Sequence, residues 1–315
     1  MVAGKGRGGM SIFEAILLTV ITASTPLVIA ALGELVTERS GVLNLGVEGM
    51  MIMGAVAAFA GAQISGSPYV GIICGIAAGA LFSLLFAFLT LTLVANQVAT
   101  GLALTLLGLG VSGMLGEAYV SVPGISLEEI VIPVLSDIPI VGPVLFKQDL
   151  IFYLSIALVF GVSWFLFRSR TGLKLRAIGD NHGSAHALGI HVIRTRYLAV
   201  MFGGACAGLA GAQLSLVYTP QWAENMSAGR GWITLALVVF ASWRPLRVLA
   251  GGYLFGAVTI LQLHAQAFGL GIPSQFLSML PYAATIVVLI IISHNRRTTL
   301  INTPASLGKA FVPER

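Results

Sequence analysis

The sequence is poor in charged residues. Only 9% of its 315 residues are Asp, Glu, Lys or Arg, while 57% are hydrophobic, and its mean hydropathy is +0.95. Soluble globular proteins carry about 25% charged residues, so this chain has too few to cover a water-facing surface. The composition excludes a soluble domain and predicts that most of the surface faces a lipid bilayer.

Cysteine is scarce as well. Cys74 and Cys206 are the only two, and both lie within apolar stretches. Two such thiols offer no disulfide framework, and we expect them to pack as small apolar side chains. The first apolar run is interrupted by Glu14 and has no clear cleavage site, so it is not typical of a removed signal peptide.

Motifs for catalysis and nucleotide binding are also lacking. Segment 4–9 is glycine-rich and basic but does not have P-loop spacing. His182 and His186 stand four residues apart, yet only Asp180 lies near them as a third candidate ligand, which favours solvated loop histidines over a metal site. We therefore predict no catalytic residue, no metal and no cofactor, and any ATP would be bound by a partner subunit. A net charge of +5 does not indicate nucleic-acid binding.

Long apolar runs, by contrast, are abundant. A membrane-spanning helix needs about 20 apolar residues, and the sequence predicts about nine such helices (8–10) in an all-α polytopic membrane protein. The candidate spans are 12–33, 44–65, 70–94, 97–116, 150–167, 197–218, 231–243, 249–268 and 276–293. The run 231–243 is too short to cross alone, which predicts a broken or re-entrant helix.

The distribution of charge predicts the topology, because basic loops stay in the cytoplasm. Segment 168–196 has six basic residues against Asp180 alone, and the tail after residue 293 is also basic, so both are predicted to be cytoplasmic. Loop 117–149 has five acidic residues against Lys147 and is predicted to be external. Counting spans back from this loop places the N-terminus outside.

Small residues suggest an internal repeat with an offset of 177. The matching pairs are Gly54 and Gly231, Pro68 and Pro245, Gly75 and Gly252, Gly79 and Gly256, and Ala80 and Ala257. With the predicted topology the two copies are inverted, an arrangement typical of transporters with a central substrate site. We divide a single transmembrane domain, 1–315, into a first repeat 12–116, a central span 150–167, a cytoplasmic loop 168–196 and a second repeat 197–293.

Polar residues within or beside the apolar runs are candidates for a substrate path, because polar groups at membrane depth tend to be functional. They are Asn44, Glu48, Asn96, Gln97, Gln213 and Asn225. Helix caps and interfacial positions are the alternative interpretation. For Glu48, Asn96 and Gln97 we expect a polar cavity at the centre of the protein.

The basic segment 168–196 also predicts an interaction element. Asp180 and Asn181 can cap a short helix over 182–188, and Gly189 can end it. A short amphiphilic helix between two spans is suited to docking on another protein. The candidate coupling residues are Gly179, Asp180, Asn181, Ala185, Leu188, Gly189 and Ile190. Of these, Ala185, Leu188 and Ile190 would fill a groove on the partner.

Four motifs carry a resemblance to a known family. The sequence GLKLRAIGDN from Gly172, with ALGI from Ala187, resembles the coupling-helix segment of ABC importer permeases of the branched-chain amino acid and simple-sugar superfamily. The stretches beginning at Gly33 (GELVTERSGVLNLGVEGM), Val94 (VANQVATGL) and Glu224 (ENMSAGRGWI) look like its nucleoside and simple-sugar branch. Together these motifs cover most of residues 25–265.

The resemblance implies the remaining properties. It implies a vitamin B12-importer-type fold, a paralogous permease as the second half of a heterodimer, a separate cytoplasmic ABC ATPase and an external substrate-binding lipoprotein. It places the protein in a bacterial-type plasma (inner) membrane with a cytoplasmic C-terminus. Nucleosides are the expected substrate and simple sugars the alternative. An ion-coupled secondary transporter is less favoured, because Glu48, its candidate ion-binding carboxylate, has no obvious partner.

Overall fold

The computed structural model describes residues 12–133, 135–138, 141–267, 273–280, 283–284, 286–287, 290 and 302–312. Its helices are α1 (Ile12–Arg39), α2 (Val47–Ser65), α3 (Pro68–Ala87), α4 (Gln97–Gly116), α5 (Val141–Phe146), α6 (Leu150–Arg168), α7 (Arg170–Asp180), α8 (His182–Ala187), α9 (Val192–Gln213), α10 (Arg230–Phe240), α11 (Pro245–Ala267) and α12 (Ser274–Ser278). Short π-helical turns extend α3 over Phe88–Thr92 and α9 over Leu214–Tyr218. A two-residue antiparallel pair, β1 (Ile130–Val131) with β2 (Lys147–Gln148), lies in the loop before α6.

The fold class is confirmed: the protein is an all-α polytopic membrane protein. Within the described residues, seven helices are long and apolar enough to cross a membrane, namely α1, α2, α3, α4, α6, α9 and α11. The run 231–243 forms α10, whose 11 residues rise only about 16 Å in a hydrocarbon core of about 30 Å. The last candidate span, 276–293, lies largely outside the described residues.

Three predicted boundaries were wrong. The first span does not end at residue 33, because α1 continues to Arg39 with Glu34 and Glu38 buried inside the protein. The sixth does not begin at 197, because α9 starts at Val192. The segment 168–196 is not a loop with one short helix, since α7 and α8 occupy most of it.

Glycine allows α3 to pack closely against α9. A Cβ at Gly79 would collide with the carbonyl oxygen of Gly204 and lie 2.7 Å from Cα of Gly208. A Cβ at Gly75 would lie 3.0 Å from the carbonyl oxygen of Gly54 in α2. The predicted packing of both glycines against other helices is confirmed, and it follows the small-residue pattern of membrane helix interfaces.

Two helix pairs pack closely, α3 with α9 and α11 with α1. Gly75 and Gly79 match Gly252 and Gly256 at the predicted offset of 177, whereas the contact residues of α1 and α9 differ by 180. The contacts are Gly75–Gly208 and Gly79–Gly204 between α3 and α9, and Gly252–Val28 and Gly256–Ser24 between α11 and α1. The corresponding helices α1 and α9 run antiparallel, since Thr37 bonds to the Ala199 carbonyl and Arg196 to the Ser40 carbonyl. Opposite direction of corresponding helices is what inverted repeats require, and the repeat itself stays a prediction.

Two faces of the protein can be assigned from contacts between segments. Ser306 N–H donates to the Gly179 carbonyl (2.8 Å) and Gly308 N–H to that of Gly41 (3.1 Å), so the C-terminal segment 302–312 lies beside α7 at the end of α1. We name this the basic face. Gly124 N–H donates to the Pro220 carbonyl (3.1 Å) at the opposite end of α9, which we name the acidic face.

Cysteine accessibility can test which face is cytoplasmic. Ser126 on the acidic face and Ser184 on the basic face are both exposed. Because basic loops are retained inside, Ser126→Cys is expected to react with an impermeant thiol reagent in intact cells, whereas Ser184→Cys reacts only after lysis. The parent chain, with Cys74 and Cys206, is the control. The reverse labelling pattern would overturn the predicted orientation.

Candidate functional site

The N-termini of two helices meet inside the protein. Gly231, in the first turn of α10, lies so close to Glu48 in the first turn of α2 that a Cβ on Gly231 would be 2.6 Å from Cα of Glu48. Because α10 is short and its far end lies near Arg39 on the basic face, this junction is about halfway through the span.

Glu48 connects these two helices. Its Oε1 accepts hydrogen bonds from Ser227 Oγ (2.6 Å) and Gly229 N–H (2.8 Å), and its Oε2 accepts one from Gly231 N–H (2.6 Å). The side chain is only 3% exposed. Each helix N-terminus carries about half a positive charge, so one carboxylate balances both. These contacts make Glu48 a cap for α10, the alternative that the sequence left open.

The non-helical segment 40–46 leads from α1 into α2 and is held by side chains from several helices. Gln97 Oε1 accepts from Leu43 N–H (2.8 Å), and Glu34 Oε1 accepts from Asn44 N–H (3.2 Å). The Asn44 side chain accepts from Gly46 N–H (2.9 Å). Irregular backbone at membrane depth requires such internal partners, so Asn44 and Gln97 serve first to stabilise this segment.

The other candidate path residues have different surroundings. Asn96 is exposed and caps α4 by accepting from Ala99 N–H (3.0 Å). Gln213 is fully buried near the end of α9, and neither amide atom has a hydrogen-bond partner among the described residues. Asn225 is exposed in the loop before α10, two residues from Ser227. The structure thus brings Asn44, Glu48 and Gln97 to segment 40–48, with Asn225 near Ser227 and Asn96 and Gln213 elsewhere.

A second buried carboxylate joins α1 to the far end of α10. Glu38 Oε2 accepts a hydrogen bond from Trp243 Nε1 (2.6 Å), and Arg39 Nη2 donates to the Trp243 carbonyl (3.2 Å). Both ends of α10 are therefore tied by acidic side chains, at Glu48 and at Glu38. The sequence offered a signal for Glu38, since Glu34 and Glu38 stand one helical turn apart in an apolar run. It offered no signal for its partner, Trp243.

The predicted short helix on the basic face is confirmed. Asn181 caps α8 by accepting from Ser184 N–H (3.0 Å), and Gly189 ends the turn with φ +80°. Asp180 is the last residue of α7 rather than a cap of α8. Leu188 protrudes and is 81% exposed.

One proposed docking residue was wrong. Ala185 is buried against Ile178 and Val192, and Ile190 packs beside this cluster. A side chain that closes the internal core of α7, α8 and α9 cannot fill a groove on a partner. Gly179 is internal too, because a Cβ there would collide with the Arg39 carbonyl oxygen. Leu188 is thus the apolar side chain of the candidate set that is free for docking.

Arg196 connects the basic segment to the rest of the protein. It is 1% exposed, and it donates to the carbonyls of Ser40 (Nε, 3.0 Å) and Lys309 (Nη1, 3.3 Å). Its Nη2 lies 3.3 Å from His182 Nδ1 at the start of α8. Arg196 therefore links the start of α8 to segment 40–46. The sequence offered Arg196 only as one more basic loop residue.

The surroundings of His182 favour its neutral form. Burial, followed by the positive charges of Arg196 and Lys309, lowers the pKa of His182 below its ordinary value. A neutral imidazole can accept the Arg196 hydrogen bond at Nδ1. The described residues contain no cluster of three potential metal ligands.

Two helices, α2 and α10, meet inside the bundle, and a capped surface helix, α8, is linked to them. Discontinuous helices of this kind are typical of membrane transport proteins. Residues 16–292 match the family described as the permease component of the branched-chain amino acid transport system. A putative glucose ABC transporter permease of Haloferax volcanii is 38% identical (96% of this chain, 98% of the relative). A nucleoside ABC transporter permease of Lactococcus lactis is 32% identical (96% and 95%), and a guanosine ABC transporter permease of Bacillus subtilis is 33% identical (89% and 92%).

The chain belongs to this family of transport-system permeases. It is a multi-pass membrane protein and the permease subunit of an ABC importer, as the resemblance in its motifs implied.

Proposed function

We propose that this permease carries uncharged nucleosides into the cell, powered by ATP hydrolysis in a separate subunit. The observation that carries the proposal is the neutralised helix junction. Free helix N-termini attract anions, but the Glu48 carboxylate, which lies in the first turn of α2, already accepts from N–H groups at the start of α10. Among the described residues, this junction therefore already contains a negative charge, which disfavours a phosphate or carboxylate there.

Two buried glutamines, in different parts of the protein, have amide atoms with which a neutral cargo could form hydrogen bonds. Nε2 of Gln97 and both amide atoms of Gln213 have no hydrogen-bond partner among the described residues. Amides can donate to and accept from a base or a ribose without a charge. Two of the relatives compared above are nucleoside and guanosine permeases, which supports nucleosides over other neutral solutes. Glu48 is already engaged by three donors, which argues against an ion-coupled secondary transporter.

Simple sugars are the second candidate, because one relative is a putative glucose permease. Uptake by the complete transporter in proteoliposomes separates the two. We expect ATP-dependent uptake of guanosine and uridine, with little uptake of glucose, ribose or guanosine monophosphate. Uptake of glucose without nucleosides would favour the sugar alternative. Uptake of the monophosphate would contradict the neutral-cargo argument.

The same proposal includes the other subunits. A paralogous permease would complete the path, an external lipoprotein would deliver the substrate, and a cytoplasmic ABC ATPase would bind the ATP. In a bacterial-type inner membrane, the basic face with α8 and the C-terminus would face that ATPase. The absence of P-loop spacing in the sequence supports a separate ATPase.

Leu188 is the side chain with which to test ATPase docking. Burial of a leucine contributes about 1.5–3 kcal/mol, so Leu188→Asp is expected to abolish ATPase co-purification and substrate-stimulated hydrolysis. Ile64→Asp is the matched control, since Ile64 has the same 81% exposure near the acidic face. If Leu188→Asp retains the ATPase and full stimulation, α8 is not the docking element.

A further inference from the structure

A deep apolar groove opens between α1, α6, α7 and α9, away from the helix junction. Its volume is about 640 Å³, within the range of about 300–1,000 Å³ typical of small-molecule sites. One wall is a single face of α6, formed by Leu154, Ala157, Leu158, Gly161, Val162 and Phe165. These residues follow the helical pattern i, i+3, i+4, i+7, i+8, i+11, so they line one side of a membrane-spanning helix.

The groove has the length of one bilayer leaflet. From Leu154 to Phe165 the α6 wall rises about 16 Å, roughly half of a hydrocarbon core of about 30 Å. The groove is open in front of Gly161, because a Cβ there would have no atom within 4 Å. A neighbouring transmembrane helix would need a surface that crosses the whole membrane, whereas one acyl chain needs only this depth.

Positive charge lies at the end of the groove at the basic face. Lys174 lines this end together with Thr171 and Thr195. Lys174 is exposed, and no acidic side chain of the described residues lies within salt-bridge distance of it. Arg170 and Arg194, each adjacent in sequence to a lining threonine, are exposed as well.

We propose that this groove is a binding site for an anionic phospholipid of the leaflet at the basic face. One acyl chain lies along α6 past Gly161, and the lipid phosphate interacts with Lys174. The apolar interior of the groove suits an acyl chain, and the lysine at its end suits an anionic headgroup. Basic pockets between membrane helices bind such headgroups. The site lies between α6, α9 and α7, so a bound lipid would stabilise the packing of α7 on the membrane-spanning helices α6 and α9. The proposal does not depend on the transported substrate.

Native mass spectrometry of the purified complete transporter can measure this binding. The complex is titrated with phosphatidylglycerol and, separately, with zwitterionic phosphatidylethanolamine. We expect phosphatidylglycerol to bind more tightly. Lys174→Gln should weaken it about fivefold, the effect of one cation at a membrane surface, and Gly161→Leu should eliminate the site by filling the groove. Arg247→Gln and Ala77→Leu are controls, since both residues are exposed and neither lines the groove.

Several results would overturn the proposal. Equal binding of the two lipids would remove the role of Lys174, and unchanged phosphatidylglycerol binding in Gly161→Leu would place the lipid elsewhere. Efficient cross-linking of Ala157→Cys to another subunit would show that a protein helix occupies the groove. Lys174→Gln changes a surface side chain, so it gives a decisive result even if Gly161→Leu lowers the yield.

Discussion

Replacing Gly79 with leucine is expected to abolish assembly of the protein in the membrane. A side chain at this position must displace the backbone of α9, because its Cβ alone would collide with the Gly204 carbonyl and lie 2.7 Å from Gly208 Cα. Overpacking usually costs about 1–3 kcal/mol when side chains can move. Here the neighbours are backbone atoms, so α3 and α9 must separate along the stripe that also includes Gly75.

Ala77→Leu is the matched control for Gly79→Leu. Ala77 lies on the exposed side of the same helix, so the same side chain there should leave the yield and thermal stability of the complex unchanged. Both quantities can be measured by fluorescence size-exclusion chromatography after heating. Wild-type yield and stability in Gly79→Leu would show that α3 and α9 tolerate separation and would contradict the packing described above.

Glu48→Gln is expected to destabilise the protein by about 3–5 kcal/mol, the usual cost of removing one partner from a buried charged contact. The amide retains the size of the side chain but has one acceptor oxygen in place of two. Its NH₂ group would face a donor, the N–H of either Gly229 or Gly231. The charge that balances the N-termini of α2 and α10 would also be lost.

Thermal unfolding of the purified complex, together with uptake, can test this role of Glu48. We expect both the unfolding midpoint and the uptake to be lower in Glu48→Gln, because the contact that holds the start of α10 is weakened. Glu48→Asp, which retains the charge, should fall less. Glu224→Gln is the control, because Glu224 is exposed in the loop before α10. Normal stability with loss of uptake would instead support the substrate-path role that the sequence suggested for Glu48.

Features that depend on local chemistry could be predicted from the sequence. The low charge and the apolar runs determined an all-α membrane protein, because each span must satisfy its own backbone in lipid. The shortness of 231–243 predicted a broken helix, and the residues around 181–189 predicted α8 and its cap. The glycine spacing predicted close packing, because a missing side chain allows close approach whichever helix is the neighbour.

The partner of each side chain was decided by the tertiary structure alone. Glu48 and Ser227 are 179 residues apart in sequence, and nothing local to either indicates that they meet. In the same way, Ala185 and Leu188 are both apolar and lie within one turn, yet one is buried and the other exposed. Their difference arises because α8 packs on Ile178 and Val192. Composition, spacing and caps are properties of neighbouring residues, whereas the roles of Glu48, Arg196 and Ala185 depend on which distant segments the packed helices bring into contact.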